Sequence, residues 1–301
     1  MASPVQPKEH IGYRRSAAVP GLEILDCYNS SRQWALVSYA YAVSFGTTWH
    51  GSARYRGRGG RVETDIAFCN YPDEALVGAP DPGSAGSMNV LLIHDGLLRE
   101  WVAEHQRCAV RPEWRDIFQR MHPELWTKFQ RLSESFVPES SALKLQSDAT
   151  ELAETLVRTF VAGEADVAPN AGPAIRGTAR MRECLSESRF DVDLETLAGV
   201  AGLSKFHALR AFKRRYGLTP YAYQMCLRVR LVRALLLDGM PPAEVAAQCG
   251  FGDQSHMIRQ FKRVIGVTPT RFARSKTHAD DAERAIRRAD ARVARGNHRR
   301  Q

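Results

Sequence analysis

No stretch of the chain approaches the ~20 consecutive apolar residues that a bilayer-spanning helix needs. The opening residues, Met-Ala-Ser-Pro-Val-Gln-Pro-Lys-Glu-His, have no apolar segment of the kind a secretory leader carries. Neither a membrane partner nor export is expected. Six cysteines are scattered as Cys27, Cys69, Cys108, Cys184, Cys226 and Cys249. There is no Cys-x-x-Cys pair and no Cys/His cluster at zinc spacing. A reduced, cytoplasmic protein with free thiols is the expectation. Acidic residues are scarce in one region only. Residues 174–276 hold 18 Lys or Arg against 8 Asp or Glu, a balance of +10. Residues 1–173 balance at −4 and 277–301 at +3, within a net charge of +9. Basic charge concentrated in this way is the electrostatic footprint of a partner with a phosphate backbone.

The basic region contains one small unit written twice. The first copy runs from Ala198 to Pro220 and the second from Ala246 to Pro269. Arg210, Phe212, Lys213, Gly217 and Pro220 recur 49 residues later as Arg259, Phe261, Lys262, Gly266 and Pro269. Ala198 and Gly202 recur 48 residues later as Ala246 and Gly250, so the second copy has one extra residue in its turn. Asp193 is placed to cap a helix over Leu194–Ala201, which Gly202 ends. Ser204 caps the next helix, which reaches Tyr216 and stops at Gly217. Ala208 and Phe212 then point inward, while Phe206, Arg210 and Lys213 share the opposite face. In the second copy Val245–Cys249 forms the supporting helix, Gly250 the turn and Asp253 the cap. Met257 and Phe261 point inward; Ser255, Arg259 and Lys262 point out. This is helix-turn-helix patterning, with each second helix free to enter a major groove.

Thr219–Leu237 joins the copies. At ~1.5 Å per residue it spans about 30 Å, close to the ~34 Å between successive major-groove faces of B-DNA. One chain could thus put both reader helices in adjacent grooves. Misaligned grooves would require a DNA bend, at a cost of about 1–6 kcal/mol. Side-chain chemistry divides the roles. Arg210 and Arg259 suit bidentate bonds to guanine, discriminating by about 1–3 kcal/mol. Phe206 and Leu209 suit thymine methyls. Gln254, Ser255 and His256 suit base edges or phosphates. Lys213, Arg214, Lys262 and Arg263 suit phosphates, which position without reading sequence. Ser204, Lys205 and His207 complete the face of the first reader.

The preceding half differs in texture. Leu22–Tyr28, Trp34–Ser44, Thr47–Tyr55, Arg61–Cys69 and Met88–His94 read as strands separated by Gly, Pro and Asn turns. They suggest a small barrel or sandwich. Leu97–His105, Pro112–Met121, Pro123–Ser135 and Ser141–Phe160 read as helices. The last carries Leu145, Ala149, Leu152, Leu156 and Phe160 on one stripe, which makes either core or a dimer seam. Residues 1–20, with three prolines, are expected to form a flexible arm. Residues 163–173 read as a linker, and 277–301 as a basic tail without fixed structure.

The repeated motifs resemble the AraC/XylS family of bacterial transcription regulators, over about Ile175 to Arg274. The resemblance rests on Leu-Ser-x-x-x-x-x-Arg-x-Phe-Lys (Leu203 to Lys213), Gly-Leu-Thr-Pro (Gly217 to Pro220) and the linker pattern Arg228 to Leu237. It continues in Val-Ala-x-x-x-Gly-Phe (Val245 to Phe251), Asp-Gln-Ser-His-x-x-Arg-x-Phe-Lys-Arg (Asp253 to Arg263) and Gly-x-Thr-Pro (Gly266 to Pro269). Ala208 and Met257 depart from the larger residues usual at those inward positions. The resemblance implies seven helices over 174–276, two helix-turn-helix units joined by a long helix. It also implies that residues 21–162 are a cupin-like effector and dimerisation domain, although Leu76 stands where members often have His. The implied fold is α+β in two domains: an N-terminal cupin-like β-barrel with trailing helices, then an all-α domain. The implied protein is a DNA-binding activator, a homodimer that works with double-stranded DNA, RNA polymerase and a small-molecule effector.

For an effector pocket the candidates are Tyr39, Trp49, His50, Tyr55 and Arg56. Aromatic walls with one cation suit an aromatic or acidic molecule; the same aromatics serve equally well as barrel core. Two other readings compete. One is a cupin enzyme fused to a DNA-binding domain, but a cupin metal centre needs several converging His residues, and this half offers His50 and His94 without a His-x-His pair. No catalytic set, metal or cofactor is therefore expected. The other is a barrel that only dimerises and senses nothing.

Overall fold

A computed structural model describes residues 9–46, 48–106, 112–137, 140–162, 173–188 and 192–274. The chain is a two-domain α+β protein. Its first half contains β1 (His10–Arg15), β2 (Leu22–Ser30), β3 (Trp34–Val37), β4 (Tyr41–Gly46), β5 (Gly51–Tyr55), β6 (Arg58–Val62), β7 (Ile66–Asn70), β8 (Ala75–Pro80), β9 (Gly86–Ile93) and β10 (Phe118–Arg120). Helices α1 (Asp95–Gln106), α2 (Pro123–Ser135) and α3 (Ala142–Phe160) accompany them. The second half is α4 (Pro173–Glu187), α5 (Leu194–Ala201), α6 (Lys205–Tyr216), α7 (Pro220–Leu237), α8 (Pro242–Gln248), α9 (Gln254–Ile265) and α10 (Pro269–Arg274). Among the described residues no helix is long and apolar enough to cross a membrane.

The strands form two antiparallel sheets, ordered β1-β2-β9-β4-β7-β10 and β3-β8-β5-β6. The larger sheet is covered on both sides, which explains why β2 and β9 read as near-continuous apolar runs. Ile24, Val43, Phe45, Leu91 and Ile93 pack with α1–α3 in one core. Leu25, Ala42, Val90 and Leu92 face the other way and belong to a second core, shared with the helical half. In α3 the stripe Leu145, Ala149, Leu152, Leu156 and Phe160 is buried within the chain, beside Leu125, Phe129 and Leu132 of α2. The stripe is therefore core and not a dimer seam.

Several expectations are corrected. Residues 10–15 are not part of a loose arm: they pair with β2, Tyr13 opposite Leu25, and bury Ile11 and Tyr13. The helix expected at 112–121 is absent. Trp114 instead bridges to Val161 and donates its indole N–H to the Asn70 carbonyl (3.1 Å), and β10 pairs with β7. Phe118 lies over Gly60, where a Cβ would stand 2.5 Å from its ring. Trp34–Ser44 and Arg61–Cys69 are each broken into two strands, and β8 forms where no strand was expected. The linker and tail expected at 163–173 and 277–301 fall outside the described residues, except that Pro173 begins α4.

The two halves share buried polar contacts as well as apolar core. Glu23 of β2 and Arg233 of α7 form a buried ion pair. Arg15 joins at 2.7 Å and His94 at 3.0 Å, and the Arg233 guanidinium lies 3.5 Å from the Tyr39 ring centroid. Burial pushes the Glu23 carboxyl up, but the His94 hydrogen bond and the Arg233 and Arg15 charges outweigh it and hold it well below the usual carboxylate range. The Tyr13 hydroxyl donates to the Ile265 carbonyl (3.1 Å), the Tyr223 hydroxyl to the Asp73 carbonyl (2.9 Å), and Arg182 pairs with Glu74 (2.9 Å).

Candidate nucleic-acid interface

The same local devices build both copies of the repeated unit. Helix α5 ends at Gly202 (φ 66°), and the Leu203 N–H returns to the Ala198 carbonyl (2.9 Å). After α8, Gly250 (φ 69°) is followed by Phe251, whose N–H returns to the Ala246 carbonyl (3.0 Å). Each is a left-handed glycine closing a helix, a conformation that costs other residues about 1–2 kcal/mol. Ser204 accepts from the His207 N–H (3.4 Å) and Asp253 from the His256 N–H (2.6 Å), so both reader helices start on side-chain caps. Gly217 (φ 74°) and Gly266 (φ 94°) end them. Thr219 and Thr268 then cap α7 and α10, each followed by proline at the first helical position.

Packing orients the readers. Ala208 and Phe212 of α6, and Met257 and Phe261 of α9, are 0% exposed. Their opposite faces are solvated. Phe206 is 61% exposed, and the Arg210 guanidinium lies 5.2 Å from its ring centroid. Lys213 and Arg214 are exposed, without an ion-pair partner among the described residues. Leu209 is half-buried. Lys205 reaches back to Glu195 of α5 (2.9 Å), and the Ser204 hydroxyl is engaged by His207, whose Nδ1 is 2.9 Å away. In α9 Gln254, Ser255, Arg259, Lys262 and Arg263 are exposed. His256 is half-buried, edge-on to Phe251 (5.4 Å) and 3.2 Å from the Gln260 amide. Neither helix contains a carboxylate. The connector α7 has 18 residues, about 27 Å of helix.

Two cations from the N-terminal half approach these helices, Arg54 from a strand and Arg32 from the connection between β2 and β3, and sequence reasoning missed both. Arg54 of β5 lines a cleft with Arg210, Lys213, Arg214 and Gly217. The alternating burial of Gly51–Tyr55 made its outward direction legible, but not what it would face. Arg32 donates to the Lys262 carbonyl (2.8 Å) and to that of Arg263, satisfying the C-terminal end of α9.

The candidate effector residues do not converge. Tyr39 and Trp49 line a cavity of about 110 Å³ between the sheets, to which Val264 and Ile265 from the end of α9 also contribute. His50 is exposed and outside it. Tyr55 is buried, accepts from the Tyr71 N–H (3.0 Å), and does not line it. Arg56 lies 4.3 Å from the Tyr71 ring centroid and pairs with Glu74 (3.3 Å), also away from the cavity. Among the described residues no group of three His, Cys, Asp or Glu is placed to hold a metal ion.

Residues 197–275, from the middle of α5 to the residue after α10, match a helix-turn-helix domain family. The chain is 31% identical over 139 residues to an uncharacterized HTH-type transcriptional regulator, YbfI, of Bacillus subtilis (strain 168), covering 44% of this chain and 48% of that one. It is 35% identical over 88 residues to the bifunctional transcriptional activator/DNA repair enzyme Ada of Escherichia coli (strain K12), covering 29% of this chain and 25% of Ada. It is 30% identical over 90 residues to the probable transcription factor PqrA of Proteus vulgaris, covering 30% of this chain and 74% of PqrA. The chain thus spans about half the length of YbfI and a quarter of Ada.

Proposed function

The chain belongs to the AraC/XylS family of bacterial transcription regulators, and from that premise we propose that it is a sequence-specific DNA-binding regulator controlled by a small molecule held in its N-terminal half. The observation that carries the reading is the pair of reader helices. Each buries its aromatic face, exposes arginine and lysine on the other, and contains no acidic residue. Bases are read by Phe206, Leu209, Arg210, Gln254, Ser255, His256 and Arg259. Phosphates are held by Lys213, Arg214, Lys262 and Arg263, with Lys205 and His207 at the start of α6. Ser204 acts as a cap rather than a reader, because its hydroxyl is already engaged.

The cavity beneath the end of α9 supports effector control, since an occupant would touch the element that carries the second reader. Activation through RNA polymerase follows the description of Ada as an activator. The remaining features of the reading are a homodimer in the bacterial cytoplasm and a binding protein rather than an enzyme. The experiment is a footprint of the full chain on its own upstream DNA, with and without candidate small molecules. Protection of two adjacent major grooves per subunit, altered by a ligand, is expected. No specific protection under any condition would sink the reading.

A further inference from the structure

We propose that the cavity beneath α9 takes a small uncharged molecule, a single ring or short chain bearing a hydrogen-bond-accepting oxygen, and not an acid. The proposal rests on the effector reading above and gives that effector a chemical class. Its size follows from the volume. About 110 Å³ is of the order of the ~150 Å³ that accommodates one benzene ring.

Its charge follows from the walls. Every lining residue is apolar or neutral; none is Asp, Glu, Lys, Arg or His. Burial raises the hydroxyl pKa of the two lining tyrosines, Tyr13 and Tyr39, so both stay protonated. Of the guanidiniums beyond the wall, those of Arg15 and Arg233 already pair with Glu23, and that of Arg32, 5.1 Å from the Trp34 ring centroid, is already held by the Lys262 and Arg263 carbonyls. A bound carboxylate would have to draw one of these guanidiniums away from its present partners or lie in the cavity without a counter-charge, and an unpaired buried charge is strongly disfavoured.

The acceptor follows from the donors. Trp34 Nε1, Trp49 Nε1 and Asn70 Nδ2 belong to lining residues, are buried, and have no hydrogen-bond partner among the described residues. A buried unsatisfied donor is costly, so a ligand oxygen that pairs with one gains selectivity over a hydrocarbon of the same shape. Coupling to DNA follows from Val264 and Ile265, which form part of the wall, and from the Tyr13 hydroxyl on the Ile265 carbonyl. An occupant bears on the last turn of the second reader.

The test uses the full-length protein with acetophenone, ethylbenzene and benzoate, followed by thermal shift and by tryptophan fluorescence, since Trp34 and Trp49 are in the walls. Acetophenone is expected to bind about tenfold more tightly than ethylbenzene, the value of one satisfied donor. Benzoate is expected not to bind. Trp49→Phe and Asn70→Leu should each narrow the preference for acetophenone while leaving ethylbenzene binding in place, which also reports that the variant is folded. Benzoate binding as tightly as acetophenone, or no binding of any of the three, would overturn the proposal. Either result leaves the reading as a DNA-binding regulator to its own footprint, which is scored on protected grooves.

Discussion

Replacing Glu23 by Gln should destabilise the protein by about 3–5 kcal/mol, the cost of breaking a buried ion pair from one side. Glu23 and Arg233 are 3% and 5% exposed. The carboxylate accepts from Arg15 (2.7 Å) and the Tyr39 hydroxyl (3.2 Å), meets His94 at 3.0 Å, and pairs with Arg233. Gln keeps the shape and one acceptor but removes the one carboxylate paired with Arg233 among the described residues, leaving its buried guanidinium against the Tyr39 and Phe272 rings. An exposed pair would be worth about 0–1 kcal/mol, so the magnitude distinguishes the two situations. At about 2–4 °C per kcal/mol, scanning calorimetry at neutral pH should show a fall of order 10 °C. The double variant Glu23→Gln/Arg233→Met should recover most of it, because an apolar pair of similar volume avoids desolvating either charge. The pH dependence carries a sign. The folded carboxyl is held below the ordinary glutamate value of about 4.3. Its contribution is therefore complete above that value and is lost as the pH falls through the lower, folded one. The wild type should show this acid-side loss, and Glu23→Gln should lack it. A loss below about 1 kcal/mol, with no recovery in the double variant, would refute the claim that this pair fastens the two halves together.

Two further outcomes are expected. Arg210→Ala should relax base choice at one position, at about 1–3 kcal/mol, whereas Lys213→Ala should weaken binding to every sequence and lower the slope of log K against log salt by about 0.9; binding selections at several salt concentrations separate the two, and equal, sequence-blind losses would contradict the division of roles. Gly202→Ala places a side chain at φ 66° in open space and should cost about 1–2 kcal/mol. Gly266→Ala should cost more by denaturant midpoint, because its Cβ would stand 2.7 Å from Ile11 Cδ1, inside the contact between β1 and α9.

The reader helices were legible because their signals are local. A capping Ser or Asp, a left-handed Gly, and a Thr-Pro pair act through backbone bonds three to five residues away. Repetition of the whole set, with one residue added in the second turn, left little room for another interpretation. The strands were legible where they alternate or run apolar, and illegible where the cause is distant. Tyr13 forms part of a strand because Leu25 lies opposite it, and Phe118 extends rather than coils because Gly60 leaves it a seat. The candidate effector residues lie apart for a related reason. Aromatic content marks a barrel interior, but it does not separate the wall of a cavity (Trp49) from a hydrogen-bonded core (Tyr55).

Sequence by itself determined the doubled helix-turn-helix unit, its inward and outward faces, and the basic charge on it, because periodicity and capping depend on neighbours along the chain. Only the tertiary structure decided how the two halves meet. Glu23 within Leu-Glu-Ile-Leu and Arg233 within Val-Arg-Ala-Leu-Leu each interrupt an apolar run, a sign that a buried partner exists. Which partner it is depends on a residue 210 positions away along the chain. The same holds for Arg32 at the end of α9, for Arg54 beside α6, and for a neutral cavity roofed by a reader helix. Each is a pairing across the fold, set by packing and by the cost of burying an unpaired charge or donor, and no local pattern encodes it.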